Sequence, residues 1–404
     1  MFILLMSQNT KPLKMKKILF LFLLIICCSM TTWAQSFQIG HKQQTFVDTS
    51  HSNRNITTEI YYPAATAGDN VSIASGQFPV LIFAHGFVMV WSAYMPEWNA
   101  LVPNGYIMVF PTTETGIMPS HSNFGKDIAY LVGAMKAEGT NAASTFFGAV
   151  ANTSAVMGHS MGGGSAFLSV QYDSSITALA TLAAANTNPS SIAAATSISI
   201  PSIVITGEND CVAPPTQHQL PMYNSLSSIC KTYISITGGS HCQFANTNTF
   251  CNIGEGTCTP KPTITPTIQQ TTSFDLLIPW LNYYLKDDKA AGMQFQNLIS
   301  AGNGITSLQN CSIITTQSSE APTLFSLNIF PNPCSHSTTL QTNVSLTNAR
   351  LTVYNIYGQA VLQLNDIFGQ TIDLSRGNLA TGIYYVRLIE GNKIIAVNKL
   401  VIID

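Results

Sequence analysis

The chain has 404 residues, of which 46% are hydrophobic and only 9% charged, with a formal net charge of −2. That length builds one large domain plus a smaller one, each with its own core. Lysine and arginine total 17 and are scattered apart from an N-terminal cluster, which gives no case for a nucleic-acid binder, whereas a neutral surface rich in Ser, Thr, Asn and Gln suits contact with neutral or insoluble material.

At the N-terminus, Lys14, Lys16 and Lys17 precede the apolar run ILFLFLLIICC, which is followed by SMTTWAQ. A basic n-region, an apolar h-region and a small residue at Ala34 predict a secretory signal peptide over residues 1–34, cleaved after Ala34. Met15 is an alternative start, because residues 1–14 fit no part of such a signal. The run is shorter than the roughly 20 residues that a membrane span needs. Lipidation at Cys27 or Cys28 is disfavoured by the bulky Ile26. Cleavage leaves Cys211, Cys230, Cys242, Cys251, Cys258, Cys311 and Cys334. Exported cysteines pair, so the first six predict up to three disulfides. They contain no CxxC pair and do not match a zinc site.

From residue 35 to 312, short apolar strands alternate with helical stretches. The runs FPVLIFAHG, YIMVFPTT, SAVMGHS, PSIVITGEND and KTYISITGGSH read as strands. Near-continuous apolar strands are buried on both faces, as in a parallel sheet covered by helices. GKDIAYLVGAMKAE, GGGSAFLSVQYD and TSFDLLIPWLNYYLKDD read as those helices. The alternation predicts an α/β domain with its site at the carboxyl ends of the strands. A polar linker, 313–323, breaks the pattern. Residues 324–404 then alternate strands with Asn-Gly-type turns, which predicts a small all-β sandwich.

Gly158-His159-Ser160-Met161-Gly162 is a G-x-S-x-G motif between a predicted strand and a predicted helix, the context a nucleophile elbow requires. A side chain at either glycine would clash in so tight a turn, and the turn presents the serine hydroxyl. The partners of Ser160 follow later in the chain. Asp210 lies just past a strand in ITGENDCVAP, with Glu208 as the rival acid. His241 lies past the next strand in ISITGGSHCQF, and it competes with His85, His159 and His218. His159 adjoins the nucleophile and points away from its hydroxyl, His85 organises the loop after an early strand, and His218 sits in a helical stretch. An oxyanion hole needs two backbone N–H groups. Met161, directly after the serine, and Phe87, in the HGF loop, are the candidates.

Taken together, HGF…GHSMGGGS…ENDCVAP…GGSHCQF resembles the cutinase and poly(ethylene terephthalate) hydrolase branch of the α/β-hydrolases, over roughly residues 37–312. The resemblance implies an α/β-hydrolase fold and cleavage of short-chain esters and polyesters in an open groove, by a monomer that uses no metal or cofactor. It implies Ser160, Asp210 and His241 as the triad, Phe87 and Met161 as the oxyanion hole, and Val212 as an apolar wall. There are departures. Many members carry a tryptophan on the loop that reads LAAANTNPSSIAAA here, without an aromatic residue. Trp91 and Tyr94 either supply another aromatic wall for substrate or serve packing. A cysteine three residues before the acid is missing; Cys211 and Cys242 instead follow the acid and the base, and a bond between them would tie the two loops together.

The C-terminal region, with FPNP at its start and DLSRGNLATGIYYVRL within it, resembles the type IX secretion sorting domain of Bacteroidetes. That implies the type IX machinery as a partner and a secreted or cell-surface location, reached through the periplasm. A carbohydrate- or surface-binding module is the plainer alternative. The sequence thus predicts a secreted serine ester hydrolase. Two other readings remain: a lipase or carboxylesterase without polyester activity, and a non-catalytic surface-binding protein on a hydrolase fold.

Overall fold

A computed structural model describes residues 36–228, 230–311, 327–355, 360–391 and 393–404. The predicted signal peptide and linker lie outside the described residues. Contacts divide the chain near residue 315 into two compact units.

In the first unit, ten strands form one sheet: β1 (Gln38–Asp48), β2 (Arg54–Ala64), β3 (Gly68–Asp69), β4 (Phe78–Ala84), β5 (Ile107–Pro111), β6 (Val150–His159), β7 (Ala178–Leu182), β8 (Ser202–Gly207), β9 (Lys231–Ile236) and β10 (Ile305–Asn310). Their order is β10-β9-β8-β7-β6-β4-β5-β2-β1-β3. Strands β4 to β9 run parallel. Antiparallel β2 and β1 extend one side and β10 the other.

The reason is visible in β4, where all seven residues of FPVLIFA are buried. Val80, Ile82 and Ala84 point into one core, with Phe124, Ile128 and Leu131 of the helix His121–Thr140. Leu81 and Phe83 point into the other, with Trp98 of the helix Met95–Leu101 and Leu277 and Trp280 of the helix Pro266–Lys286. A strand covered on both faces has no polar side, which is why it reads as an unbroken apolar run. The arrangement is the α/β-hydrolase architecture that the resemblance implies. The hairpin β1–β2, the short β3, the edge strand β10 and the central strand β7, whose five residues are all buried, add to the strands read from the sequence. Exposed positions interrupt β1 and β10, so neither carries the apolar signature of the central strands.

In the second unit, β11 (Leu327–Phe330), β12 (Ser337–Tyr354), β13 (Ala360–Ser375), β14 (Gly382–Glu390) and β15 (Lys393–Ile402) are all antiparallel. The all-β class is as expected, but the layers come from a single sheet folded over itself. Register shifts interrupt β12 between Gln341 and Leu351. The edge strands then meet, with the Asn398 side-chain amide donating to the Leu327 carbonyl at 2.7 Å. Leu340, Leu351, Val386, Leu388 and Leu400 fill the interior. Among the described residues no helix is long and apolar enough to cross a membrane.

Candidate active site

Strand β6 delivers Ser160 to the carboxyl edge of the sheet, and the helix Met161–Ser169 leaves directly after it. Ser160 has φ 55° and ψ −122°, a strained conformation for a residue with a side chain. Two glycines make the turn feasible. A Cβ on Gly158 would lie 2.4 Å from the Gly162 carbonyl carbon, and one on Gly162 would lie 2.1 Å from the Ala84 carbonyl oxygen. The following glycines continue the close approach: a Cβ on Gly164 would sit 2.1 Å from the Ala185 oxygen. The helix therefore packs backbone to backbone beneath the elbow.

The structure brings Ser160, His241 and Asp210 together. His241 Nε2 lies 2.9 Å from Ser160 Oγ, and its Nδ1 lies 2.7 Å from Asp210 Oδ2. The other Asp210 oxygen accepts the backbone N–H groups of Val212, at 3.0 Å, and Ala213, at 2.8 Å. Asp210 and His241 are both buried, and this carboxylate is fully engaged as an acceptor. Glu208, the rival acid, is exposed and accepts the Gly238 N–H at 2.8 Å.

The rival histidines are engaged elsewhere. His85 contacts the Gly86 carbonyl at 2.9 Å and the Thr113 carbonyl at 2.8 Å. His218 accepts the Asn186 N–H at 2.9 Å, and burial lowers its pKa. His159 is fully buried between Tyr94 and the His241 carbonyl.

Met161 opens its helix, where the first N–H groups have no intrahelical acceptor. Phe87 follows Gly86 on the loop after β4. Among the described residues neither backbone N–H donates a hydrogen bond to the fold. The Phe87 side chain is 50% exposed and Val212 41%, whereas Met161 is buried. Tyr94 is fully buried, so it forms no wall of a groove. Trp91 is drawn into a stack with Tyr61, Trp98 and His41. Tyr94 packs against Phe83 and His159, whereas Trp91 stays partly exposed beside the Tyr61 ring of β2.

The disulfides correct one expectation. Cys211 pairs with Cys258, Cys242 with Cys251, and Cys230 with Cys311. Cys211 and Cys242 do not bond each other. Both reach instead to the segment carrying the helix Thr249–Glu255, which lies beside the acid loop: a Cβ on Gly254 would contact Val212 at 3.8 Å. Glu255 also accepts the Cys242 N–H at 3.1 Å. That helix leaves Phe250 60% and Ile253 69% exposed, beside the loops of acid and base. Replacing Cys242 and Cys251 by serine should cost about 2–3 kcal/mol of stability in thermal unfolding.

Sequence reasoning missed two buried glutamines. Gln269 accepts the Ser240 N–H and donates to the Ser240 carbonyl, both at 2.8 Å, and so clamps the residue before His241. Gln219 donates to the carbonyls of Ala184 and Ala213 and holds the acid loop. The chain carries no signal for them: Gln269 stands among Gln270, Thr271 and Thr272. Among the described residues no group of three or more His, Cys, Asp or Glu is set to hold a metal ion.

Residues 38–257 match a family described as PET hydrolase-like, and residues 328–403 match a secretion system C-terminal sorting domain. The chain is 25% identical over 249 residues to a bis(hydroxyethyl) terephthalate hydrolase of Streptomyces coelicolor, a match covering 60% of this chain and 67% of that protein. It is 36% identical over 88 residues to Cutinase 1 of Thermobifida cellulosilytica, covering 22% of this chain and 32% of the cutinase. A cutinase of Thermobifida fusca is likewise 36% identical over 88 residues, covering 22% of this chain and 28% of that protein. The matched stretch thus spans less than a third of each cutinase.

Proposed function

The chain belongs to the PET hydrolase-like family of carboxylic ester hydrolases, and on that premise we propose a secreted serine hydrolase that cleaves short-chain esters and polyesters such as poly(ethylene terephthalate). The observation that carries this reading is the hydrogen-bonded line from Ser160 Oγ through His241 to Asp210, at 2.9 and 2.7 Å.

In this mechanism His241 Nε2 takes the Ser160 proton as Oγ attacks the ester carbonyl carbon. The carbonyl oxygen becomes an oxyanion and accepts the N–H groups of Phe87 and Met161. Each such donor lowers the barrier by about 3 kcal/mol. Collapse breaks the bond to the alcohol oxygen, which leaves with the proton from His241. Water then attacks the acyl-enzyme, losing a proton to His241, and the acid is released as Ser160 recovers its proton. Asp210 accepts the Nδ1–H and fixes the tautomer that leaves Nε2 free as the base. The Val212 and Ala213 N–H groups hold that carboxylate in its orientation.

The exposed apolar side chains of Phe87, Val212, Phe250 and Ile253 support contact with a hydrophobic ester surface. The PET hydrolase-like match supports polyester as a substrate. We assign residues 35–312 to the hydrolase domain and 324–404 to the sorting domain, joined by the linker 313–323. Residues 1–34 would direct export to the periplasm, and the type IX machinery would read the C-terminal domain and deliver the enzyme, as a monomer, to the surface or medium.

Purified protein should hydrolyse p-nitrophenyl butyrate and release soluble terephthalate products from an amorphous polyester film, and Ser160→Ala should do neither. Ester turnover without film products would favour the small-ester reading. Turnover that survives Ser160→Ala would overturn the mechanism.

A further inference from the structure

Three loops carry the proposed chemistry: Gly86–Phe87, His159–Ser160 and Ser240–His241. One buried chain of hydrogen bonds joins all three. The Gly86 N–H donates to Tyr94 Oη at 2.8 Å, Tyr94 Oη lies 3.0 Å from His159 Nδ1, and His159 Nε2 lies 3.0 Å from the His241 carbonyl.

The direction of this chain is fixed by its ends. A backbone N–H can only donate and a carbonyl can only accept. The His159 proton therefore sits on Nε2, facing the His241 carbonyl, and Nδ1 is left as an acceptor. The Tyr94 phenol, which accepts from Gly86, donates to that Nδ1. Met89 Sδ, at 3.3 Å from the phenol, is a much weaker acceptor. Burial, with neighbouring His241 second, holds the His159 pKa down at about 3, so the imidazole stays neutral. Burial likewise raises the Tyr94 pKa, and the phenol keeps its proton. Every donor then has an acceptor, and bonds in such a chain strengthen one another at low dielectric.

Resting on the hydrolase reading above, we propose that Tyr94 and His159 are positioning residues that form a strut across the active site. The strut sets the spacing between the oxyanion loop, the nucleophile elbow and the base loop. Gly86 immediately precedes Phe87, and His159 immediately precedes Ser160, so a shift in the strut displaces an oxyanion donor and the nucleophile together. Both side chains are fully buried, out of reach of an ester. Misplacement of reacting groups by an ångström is enough to cost up to about 100-fold in rate.

The test uses the full chain and three variants, with p-nitrophenyl butyrate turnover and inhibition by phenylboronic acid, which forms a tetrahedral adduct with an active serine. Tyr94→Phe removes one oxygen and leaves the ring. It should lower kcat roughly tenfold or more with KM within about twofold, and weaken phenylboronic acid in parallel. His159→Gln keeps a carbonyl for Tyr94 and an N–H for His241, so it should retain most of the activity that His159→Leu loses. This rescue is a readout that a purely structural role would not move. If Tyr94→Phe does not fold, the pair at His159 carries the same comparison. Wild-type kcat and boronate affinity in both Tyr94→Phe and His159→Leu would overturn the proposal, as would equal impairment of His159→Gln and His159→Leu. Wild-type protein that neither turns over the ester nor binds the boronate would overturn the hydrolase reading itself, and the strut with it.

Discussion

Replacing His241 with alanine should lower kcat for p-nitrophenyl butyrate by roughly 10⁴- to 10⁶-fold, with KM changed only a few-fold. The size follows from the role. Without the imidazole, the Ser160 hydroxyl must lose its proton to water, and the leaving alcohol departs without a general acid. The Phe87 and Met161 N–H groups remain, so some acceleration over the uncatalysed reaction persists. Asp210→Asn keeps the shape of the acid but lets its amide N–H face Nδ1, which favours the wrong tautomer. Its loss should be about 10⁴-fold. Neither change should unfold the domain, because the cores on both faces of the sheet are built from other residues. Steady-state kinetics on folded variants checks both, and a His241→Ala enzyme within tenfold of wild type would contradict the assignment.

Gly162→Ala should lower stability by about 3 kcal/mol or more and abolish most ester turnover. The added methyl would lie 2.1 Å from the Ala84 oxygen and 2.5 Å from the His85 oxygen, both backbone atoms. No side chain can rotate away to admit it, so the helix Met161–Ser169 must back off from β4 and from the loop that follows. That motion carries the Met161 N–H away from Phe87 and shifts Ser160 from His241. Gly133→Ala, on the helix His121–Thr140, is the control: nothing lies within 4 Å of the new methyl. It should leave stability unchanged or slightly raised, because alanine is the better helix former. Chemical denaturation of the two variants measures the contrast.

The parts of this site that were legible in the sequence are those set by local backbone. The glycines at 158 and 162 announce a turn that only glycine tolerates, and a strand before and a helix after complete the signature. Asp210 and His241 were legible because each lies just beyond an apolar strand, at the edge where a parallel sheet presents its loops. The supports were not legible. Tyr94, Gln219 and Gln269 act on backbone N–H and carbonyl groups brought close by the fold, and no spacing in the chain marks such a partner. The disulfides were illegible for a related reason. Cys211 directly follows Asp210 and Cys242 directly follows His241, but their pairing depends on where the helix Thr249–Glu255 lies. The same limit applies to Trp91, whose stack forms with rings from β2 and the helix Met95–Leu101. A sequence near an aromatic residue does not reveal which surface its ring meets.

The central claim is that Ser160, activated by His241, is the nucleophile. Incubation with a fluorophosphonate, followed by peptide mass spectrometry, tests it most directly. The account predicts one phosphonyl group per chain, on Ser160, with ester turnover lost in proportion and labelling greatly slowed in His241→Ala. An adduct on another residue, or full ester turnover by a chain carrying the adduct on Ser160, would contradict it.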